Sequence, residues 1–320
     1  MTEIKKILVI RLSSLGDIIL SFPLLKKLNK SFPDSEIHFL TKKDYTAAAI
    51  LNPYINRIIE FSDSVSETRK EIKKGRYDLI IDLHKNFRSI SASIFTGSMV
   101  RRYYKGNFRK FLLVKFKWNL FREIIPVYKK YIHTVSDLIK ENDAEFTVSD
   151  LTFDKKRIYD FNYIVISPSS RHFTKTYPAD KFIDYINSNS DKKFILTGDN
   201  SDRDKIICSH IESKCSNTLS LCGKLDLNKL ANVIYQSEYV ICNDSAILHL
   251  AEALGKKVTA IFGSTVKEFG FFPQLEQSKV IEVNGLECRP CTHIGRESCP
   301  EGHFKCMGLI TNDKLQITNN

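Results

Sequence analysis

The sequence lacks the two glycine signatures that most often mark a phosphate site. No Gly-x-Gly-x-x-Gly and no Gly-x-x-x-x-Gly-Lys-Ser/Thr occurs in the chain, which argues against a dehydrogenase or a P-loop ATPase as first choice. Long apolar runs are missing too: none approaches the roughly 18 residues needed to span a bilayer. The leading segment Met1-Thr2-Glu3-Ile4-Lys5-Lys6 meets only a short apolar run, too short for the core of a signal peptide, so a cytosolic location is expected. Low-complexity tracts and solenoid-type repeats are absent as well. What remains is 320 residues, 42% hydrophobic and 27% charged, a composition that suits a soluble chain with two domains and two separate cores.

Short apolar runs at 7–10, 37–40, 57–61 and 79–83 alternate with segments of helical period such as 18–30 and 65–74. The second half repeats this scheme, with runs at 163–166, 193–197, 239–242 and 258–262 and helical stretches at 178–188, 201–213 and 226–236. Strands separated by helices imply doubly wound parallel sheets. Two α/β domains are expected, 1–155 and 156–320, meeting in the polar stretch near 150–160.

Polar corners follow several of these strands. Asn243-Asp244-Ser245-Ala246-Ile247-Leu248-His249 passes from a strand straight into a helix. Such a corner aims unpaired backbone N–H groups and the positive end of the helix dipole at one point, where a phosphate can sit. Arg11-Leu12-Ser13-Ser14-Leu15-Gly16-Asp17 forms a similar corner in the first half, and one corner per half suggests two domains facing a shared cleft. Asp17 is a candidate general base, dependent on positioning more than on basicity because a helix start lowers a carboxyl pKa; the alternative is an acid that only complements the dipole. Ser169, Ser170 and Lys175 follow a further strand and suit a diphosphate; the alternative for Lys175 is an ordinary surface lysine. Asp202 or Asp204 could accept from ribose hydroxyls, although Asp202-Arg203-Asp204 also reads as a helix cap. His249 could reach a diphosphate or could be a satisfied core histidine.

The net charge of +11 is concentrated, since residues 101–130 hold ten Lys or Arg against the single acid Glu123. Tyr103, Tyr104, Phe108, Phe111, Phe116, Trp118, Phe121 and Tyr128 are interleaved with them. The mixture suits an anionic surface with apolar depth, such as a phospholipid leaflet. The alternatives are a helix pair with a solvated basic face and an aromatic core face, and nucleic acid. Cys288, Cys291, Cys299 and Cys306 lie close together with His293 and His303. Their spacing leaves metal, structural thiols and a labile disulfide open.

Taken in order, the 11–17 corner, Tyr77-Asp78-Leu79-Ile80-Ile81-Asp82-Leu83 with Arg88, Lys175-Thr176-Tyr177-Pro178, the 243–249 corner and the cysteine-rich tail resemble glycosyltransferase family 9, the ADP-heptose:lipopolysaccharide heptosyltransferases. The resemblance runs from residue 7 to about 310 and implies a GT-B fold, with an acceptor-binding N-terminal domain and a nucleotide-sugar-binding C-terminal domain. It implies an inverting, metal-independent transfer at the inner face of the cytoplasmic membrane, with ADP-heptose as co-substrate, no cofactor and an anionic glycolipid acceptor. Asp17 and Lys175 would be catalytic. Ser13, Ser14, Gly16, Ser169, Ser170, Lys175, Asp202, Asp244, Ser245, Ala246 and His249 would bind the donor, and Arg88, Arg101, Arg102, Lys105 and Arg109 the acceptor. Asp202 stands where the family usually has Glu, Ala246 where Gly is common, and Ser169-Ser170 where a Thr pair or glycines occur. The rival readings are a non-catalytic nucleotide- or nucleic-acid-binding protein and an NAD-dependent oxidoreductase. Nucleic acid is not the expected partner.

Overall fold

The computed structural model describes residues 4–139, 145–147 and 150–315; Met1, Thr2 and Glu3, part of the leading segment discussed above, lie outside the described residues. The chain divides into two compact units, one of Met1–Lys105 with Val127–Thr152, the other of Gly106–Pro126 with Phe153–Asn320. The segment 106–126, counted above with the first domain, therefore packs with the second unit. There Lys117 Nζ donates to the carbonyls of Cys288 and Pro290, and Asn119 Nδ2 donates to Glu268.

The first unit is built on five parallel strands, β1 Lys6–Ile10, β2 Glu36–Thr41, β3 Arg57–Glu60, β4 Leu79–Asp82 and β5 Met99–Arg102, in the order β3-β2-β1-β4-β5. The second has β6 Ile164–Ser167, β7 Phe194–Leu196, β8 Thr218–Ser220, β9 Val240–Asn243, β10 Val258–Phe262 and β11 Lys279–Glu282, in the order β11-β10-β9-β6-β7-β8. Both sheets are parallel throughout. The expected doubly wound α/β architecture is what forms. Crossover helices cover the sheets, so the central strands need apolar residues on both faces, and Ile7 to Ile10 and Ile164 to Ile166 are fully buried.

Helix Phe22–Ser31 shows how the pattern becomes packing: Phe22, Leu24, Leu25 and Leu28 are buried while Lys30 lies in its last turn. Helix starts are fixed by side-chain caps, Ser64 accepting from the Glu67 N–H and Asp226 from the Lys229 N–H. In each sheet the winding reverses beside the first strand, between β1 and β4 and between β6 and β9. Loops leaving neighbouring strands part there in opposite directions, so a crevice opens at the carboxyl ends of the strands. No helix among the described residues is long and apolar enough to cross a membrane.

Candidate functional site

At the reversal in the first unit, β1 ends at Ile10 and the chain turns through Arg11 to Ser14 into helix Leu15–Ile19, which carries Asp17 in its first turn. Arg11 Nη1 donates to the Leu83 carbonyl at 2.7 Å, which ties the β1 exit to the β4 exit. Arg11 Nη2 lies 2.7 Å from Asp17 Oδ2, which also accepts from the Ser14 hydroxyl at 2.8 Å. Asp17 Oδ1 accepts only a longer bond, 3.2 Å, from the Tyr131 hydroxyl. Burial pushes the Asp17 carboxyl up, but Arg11 and the Ser14 bonds outweigh it and hold the group below its ordinary value. Asp17 is thus ionised and firmly placed, with Oδ1 the less engaged oxygen.

The exit of β4 supplies the other wall. Asp82 is fully buried and accepts from the backbone N–H groups of His84 and Lys85 and from the Ser89 hydroxyl. This fixes the turn that presents His84, whose imidazole is pushed down to about 4 by burial and by Arg11 and Lys105. His84 is therefore neutral near pH 7; its ring bonds the Ser13 backbone, and its buried Nδ1 meets no partner among the described residues. Burial and Arg11 also lower the Lys105 ammonium. The remaining acceptor residues are dispersed. Arg101 pairs with Asp137 at 2.6 Å, Arg102 donates to Ser93, Arg88 lies exposed on helix Phe87–Ser93, and Arg109 belongs to the second unit. Ser13, Ser14 and Gly16, assigned to the donor from sequence, are in the first unit, and the Ser14 hydroxyl is already engaged by Asp17.

At the reversal in the second unit, Asn243 at the end of β9 acts as a buried staple. Its Oδ1 accepts from the Tyr177 N–H and its Nδ2 donates to the Pro168 carbonyl. The loop after β6 is thereby fastened beside Asp244, whose Oδ2 lies 2.7 Å from Lys175 Nζ and accepts from the Thr265 hydroxyl at 2.6 Å. Lys175 and Asp244 are both largely buried. The hydroxyls of Ser169, Ser245 and Ser264, from the exits of the adjacent strands β6, β9 and β10, are buried without hydrogen-bond partners among the described residues. A buried, unsatisfied hydroxyl costs free energy that a ligand acceptor can recover, so three at neighbouring strand ends beside a lysine form a cradle for an anion. Ser245 is the N-cap of helix Ala246–Ala253, whose first N–H groups add to it. His249 is buried in that helix, with Phe271 6.0 Å away. Ser170 is buried, and its carbonyl accepts from Thr176; Asp202 is exposed at the start of helix Asp202–Lys214.

The cysteine-rich tail props this cradle. Thr174 exchanges two hydrogen bonds with the Arg296 backbone, and Arg289 Nη2 donates to the Thr265 carbonyl. Gly263 is required here because a Cβ would lie 2.9 Å from the Thr174 carbonyl oxygen and closer still to Met307. All eight cysteines are free thiols, and among the described residues no three metal-binding side chains converge. Arg11, Tyr131, His84, Ser264 and Thr265 were not singled out from the sequence. Ser264 and Thr265 had a usable signal, because Gly263-Ser264-Thr265 leaves β10 as the other polar corners leave their strands.

Residues 65–301 match the model of glycosyltransferase family 9 (heptosyltransferase). The lipooligosaccharide heptosyltransferase 2 of Haemophilus ducreyi is 24% identical, with 97% of each chain covered. Among solved structures, the E. coli ADP-heptose LPS heptosyltransferase II superposes with a TM-score of 0.70 at 19% identity, covering 95% of this chain and 98% of that one. E. coli heptosyltransferase WaaC with ADP-2-deoxy-2-fluoro heptose gives 0.66 at 15% identity, with 97% of each covered.

Proposed function

The chain belongs to glycosyltransferase family 9, with the paired sheets of a GT-B enzyme, and we propose that it moves a heptosyl unit from ADP-heptose to a lipopolysaccharide core acceptor. Transfer needs a base at the acceptor hydroxyl and a cradle for the leaving diphosphate, and each unit carries one of them. The observation that carries this reading is the cluster of Lys175 with the partnerless hydroxyls of Ser169, Ser245 and Ser264.

In this proposal the acceptor oxygen attacks the anomeric carbon from the face opposite the diphosphate, the bond to ADP breaks, and configuration inverts. Positive charge grows on the sugar ring while negative charge grows on the leaving oxygen. Lys175, the three hydroxyls and the N–H groups at Ser245 and Ala246 would take up that negative charge. The acceptor proton would pass to Asp17 Oδ1. A carboxylate held below its ordinary pKa is a weak base for a free alcohol, but the hydroxyl becomes strongly acidic as its bond to carbon forms, so a well-placed weak base suffices late in the reaction. His84, neutral and already bonded to the Ser13 backbone, would accept from an acceptor hydroxyl through Nδ1, and Lys105 would offset the acceptor's charge. The curated relatives carry lipopolysaccharide or lipooligosaccharide in their names, which supports a glycolipid acceptor; that it is met at the inner face of the cytoplasmic membrane is part of the same proposal.

The test is to incubate the chain with ADP-heptose and a lipopolysaccharide core lacking heptose, then to determine product mass and anomeric configuration. A heptosylated product of inverted configuration is expected. Turnover with a different nucleotide sugar only, or a retained configuration, would overturn the proposal.

A further inference from the structure

Helix Asn107–Phe116 turns its aliphatic side inward and its rings outward: Leu112 and Leu113 are buried, while Phe108, Phe111 and Phe116 are 69%, 55% and 48% exposed. Trp118, just past the helix, is 60% exposed and lies 5.3 Å from the Phe116 ring, which itself meets Phe111 at 6.1 Å. Leu120 and Ile124, a little further along the chain, are exposed as well. A contiguous exposed patch of this kind is unfavourable in water and marks an interaction surface. The alternative of an aromatic core face is therefore corrected for 108–118, where the aliphatic pair seats the helix and the rings are left over; Tyr103 and Tyr128, named in the same stretch, are buried in the first unit.

Exposed Arg109, Lys115 and Arg122 stand among these rings, with Glu123 as the acid of the segment. A cavity of about 610 Å³ beside Lys115 and Lys117 adds Arg296 and Lys305, partly offset by Glu287 and Glu301. Lys117 is pinned by the carbonyls of Val114, Cys288 and Pro290, so this face is fastened to the second unit. Aromatic side chains that reach the acyl boundary and cations that stay at headgroup level are the two components of peripheral binding to an anionic leaflet.

We propose that the outward face of 108–118, through Phe108, Phe111, Phe116 and Trp118 with Arg109 and Lys115, docks the chain on an anionic phospholipid leaflet. This rests on the glycolipid reading above only for why such docking is useful; the surface itself does not depend on it. The role also separates 108–118 from Arg101, Arg102 and Lys105, which belong to the first unit.

The experiment is co-sedimentation of the full chain with vesicles of phosphatidylcholine, with or without phosphatidylglycerol, in the absence of donor and acceptor. Binding should require phosphatidylglycerol and weaken as salt rises. The variant Phe111→Ser/Phe116→Ser/Trp118→Ser should lose about tenfold or more in partitioning, while Phe87→Ser/Phe95→Ser, which removes two exposed rings of the first unit, should bind as wild type. Circular dichroism and the ADP-induced rise in Tm confirm that both variants are folded. Equal binding by wild type and the triple variant, no binding to either vesicle, or selective retention of single-stranded RNA instead would each overturn the proposal. Loss of the ADP response alone would count against the transferase reading and leave the docking surface standing.

Discussion

Replacing Asp17 by Asn separates the catalytic from the structural role of that carboxylate. Arg11 and Asp17 side chains are only 9% and 17% exposed and approach to 2.7 Å, so the substitution strips a buried cation of its counter-charge. Removing one partner of such a pair costs about 3 to 5 kcal/mol when nothing replaces it. Asn keeps an oxygen acceptor, and Arg11 retains the Leu83 carbonyl and the face of Tyr131, so about 2 kcal/mol is the better figure. That corresponds to a fall of roughly 5 °C in the Tm of the unit. Loss of the proposed base should lower kcat by about 10² to 10⁴, with donor affinity nearly unchanged because the proposed diphosphate cradle lies in the second unit. The assay is initial rate against ADP-heptose, with ADP affinity measured by calorimetry on the same preparation. Turnover within about threefold of wild type would refute the base role, and lost donor affinity with turnover preserved would refute the assignment of sites. The pH dependence has a definite sign. The folded carboxyl lies below its ordinary value of 3.8, so its stabilisation is present above the unfolded pKa and lost as pH falls through the lower folded one. The stability gap between wild type and Asp17→Asn should be constant at neutral pH and close only below about pH 4.

Lys175→Ala should raise the donor KM and lower kcat together, by roughly 10² to 10³ in kcat/KM, since the ammonium would hold the diphosphate in both ground and transition states. Gly263→Ala forces the Thr174 loop or Met307 aside and should cost about 1 to 3 kcal/mol in urea unfolding while weakening ADP binding. Glu252 is fully buried, accepts three bonds from the Gln274 and Leu275 N–H groups, and is pushed up to about 7 by burial, which outweighs those bonds. Its contribution is therefore present below the unfolded pKa near 4.5 and lost as pH rises towards 7. Wild-type stability should fall over that window by an amount on the order of 3 kcal/mol, whereas Glu252→Gln should show a flatter profile. An unchanged slope in the variant would count against this assignment.

The central strands were legible because β1, β2, β4, β6, β9 and β10 are buried on both faces and are mainly apolar, broken by single residues such as His38, Asp82 and Thr259. Of the edge strands, β3 was read as the run at 57–61 because Ile58 and Ile59 continue into Phe61, whereas β5, β8 and β11 were not singled out. Met99-Val100-Arg101-Arg102, Thr218-Leu219-Ser220 and Lys279-Val280-Ile281-Glu282 each have one flank without a partner strand, which admits polar residues and shortens the run. Helix 18–30 proved to be two helices that meet at Leu20 and Ser21. Among the residues of the proposed site, Asp17, Lys175, Asp244 and Ser245 stand at strand-to-loop corners visible in the sequence. Tyr131 was not legible there, because it reaches Asp17 from 114 positions away and carries no local signal. His84 escaped notice because its environment is set by Arg11 and Lys105, two distant segments brought together by sheet order.

The most direct test of the donor cradle is titration of ADP into wild type, Lys175→Ala and Ser169→Ala/Ser264→Ala. Because those two hydroxyls are buried and unpaired in the free protein, their removal should leave Tm without ADP unchanged or slightly higher, while ADP affinity falls about tenfold. Unaltered ADP affinity in both variants would contradict the account.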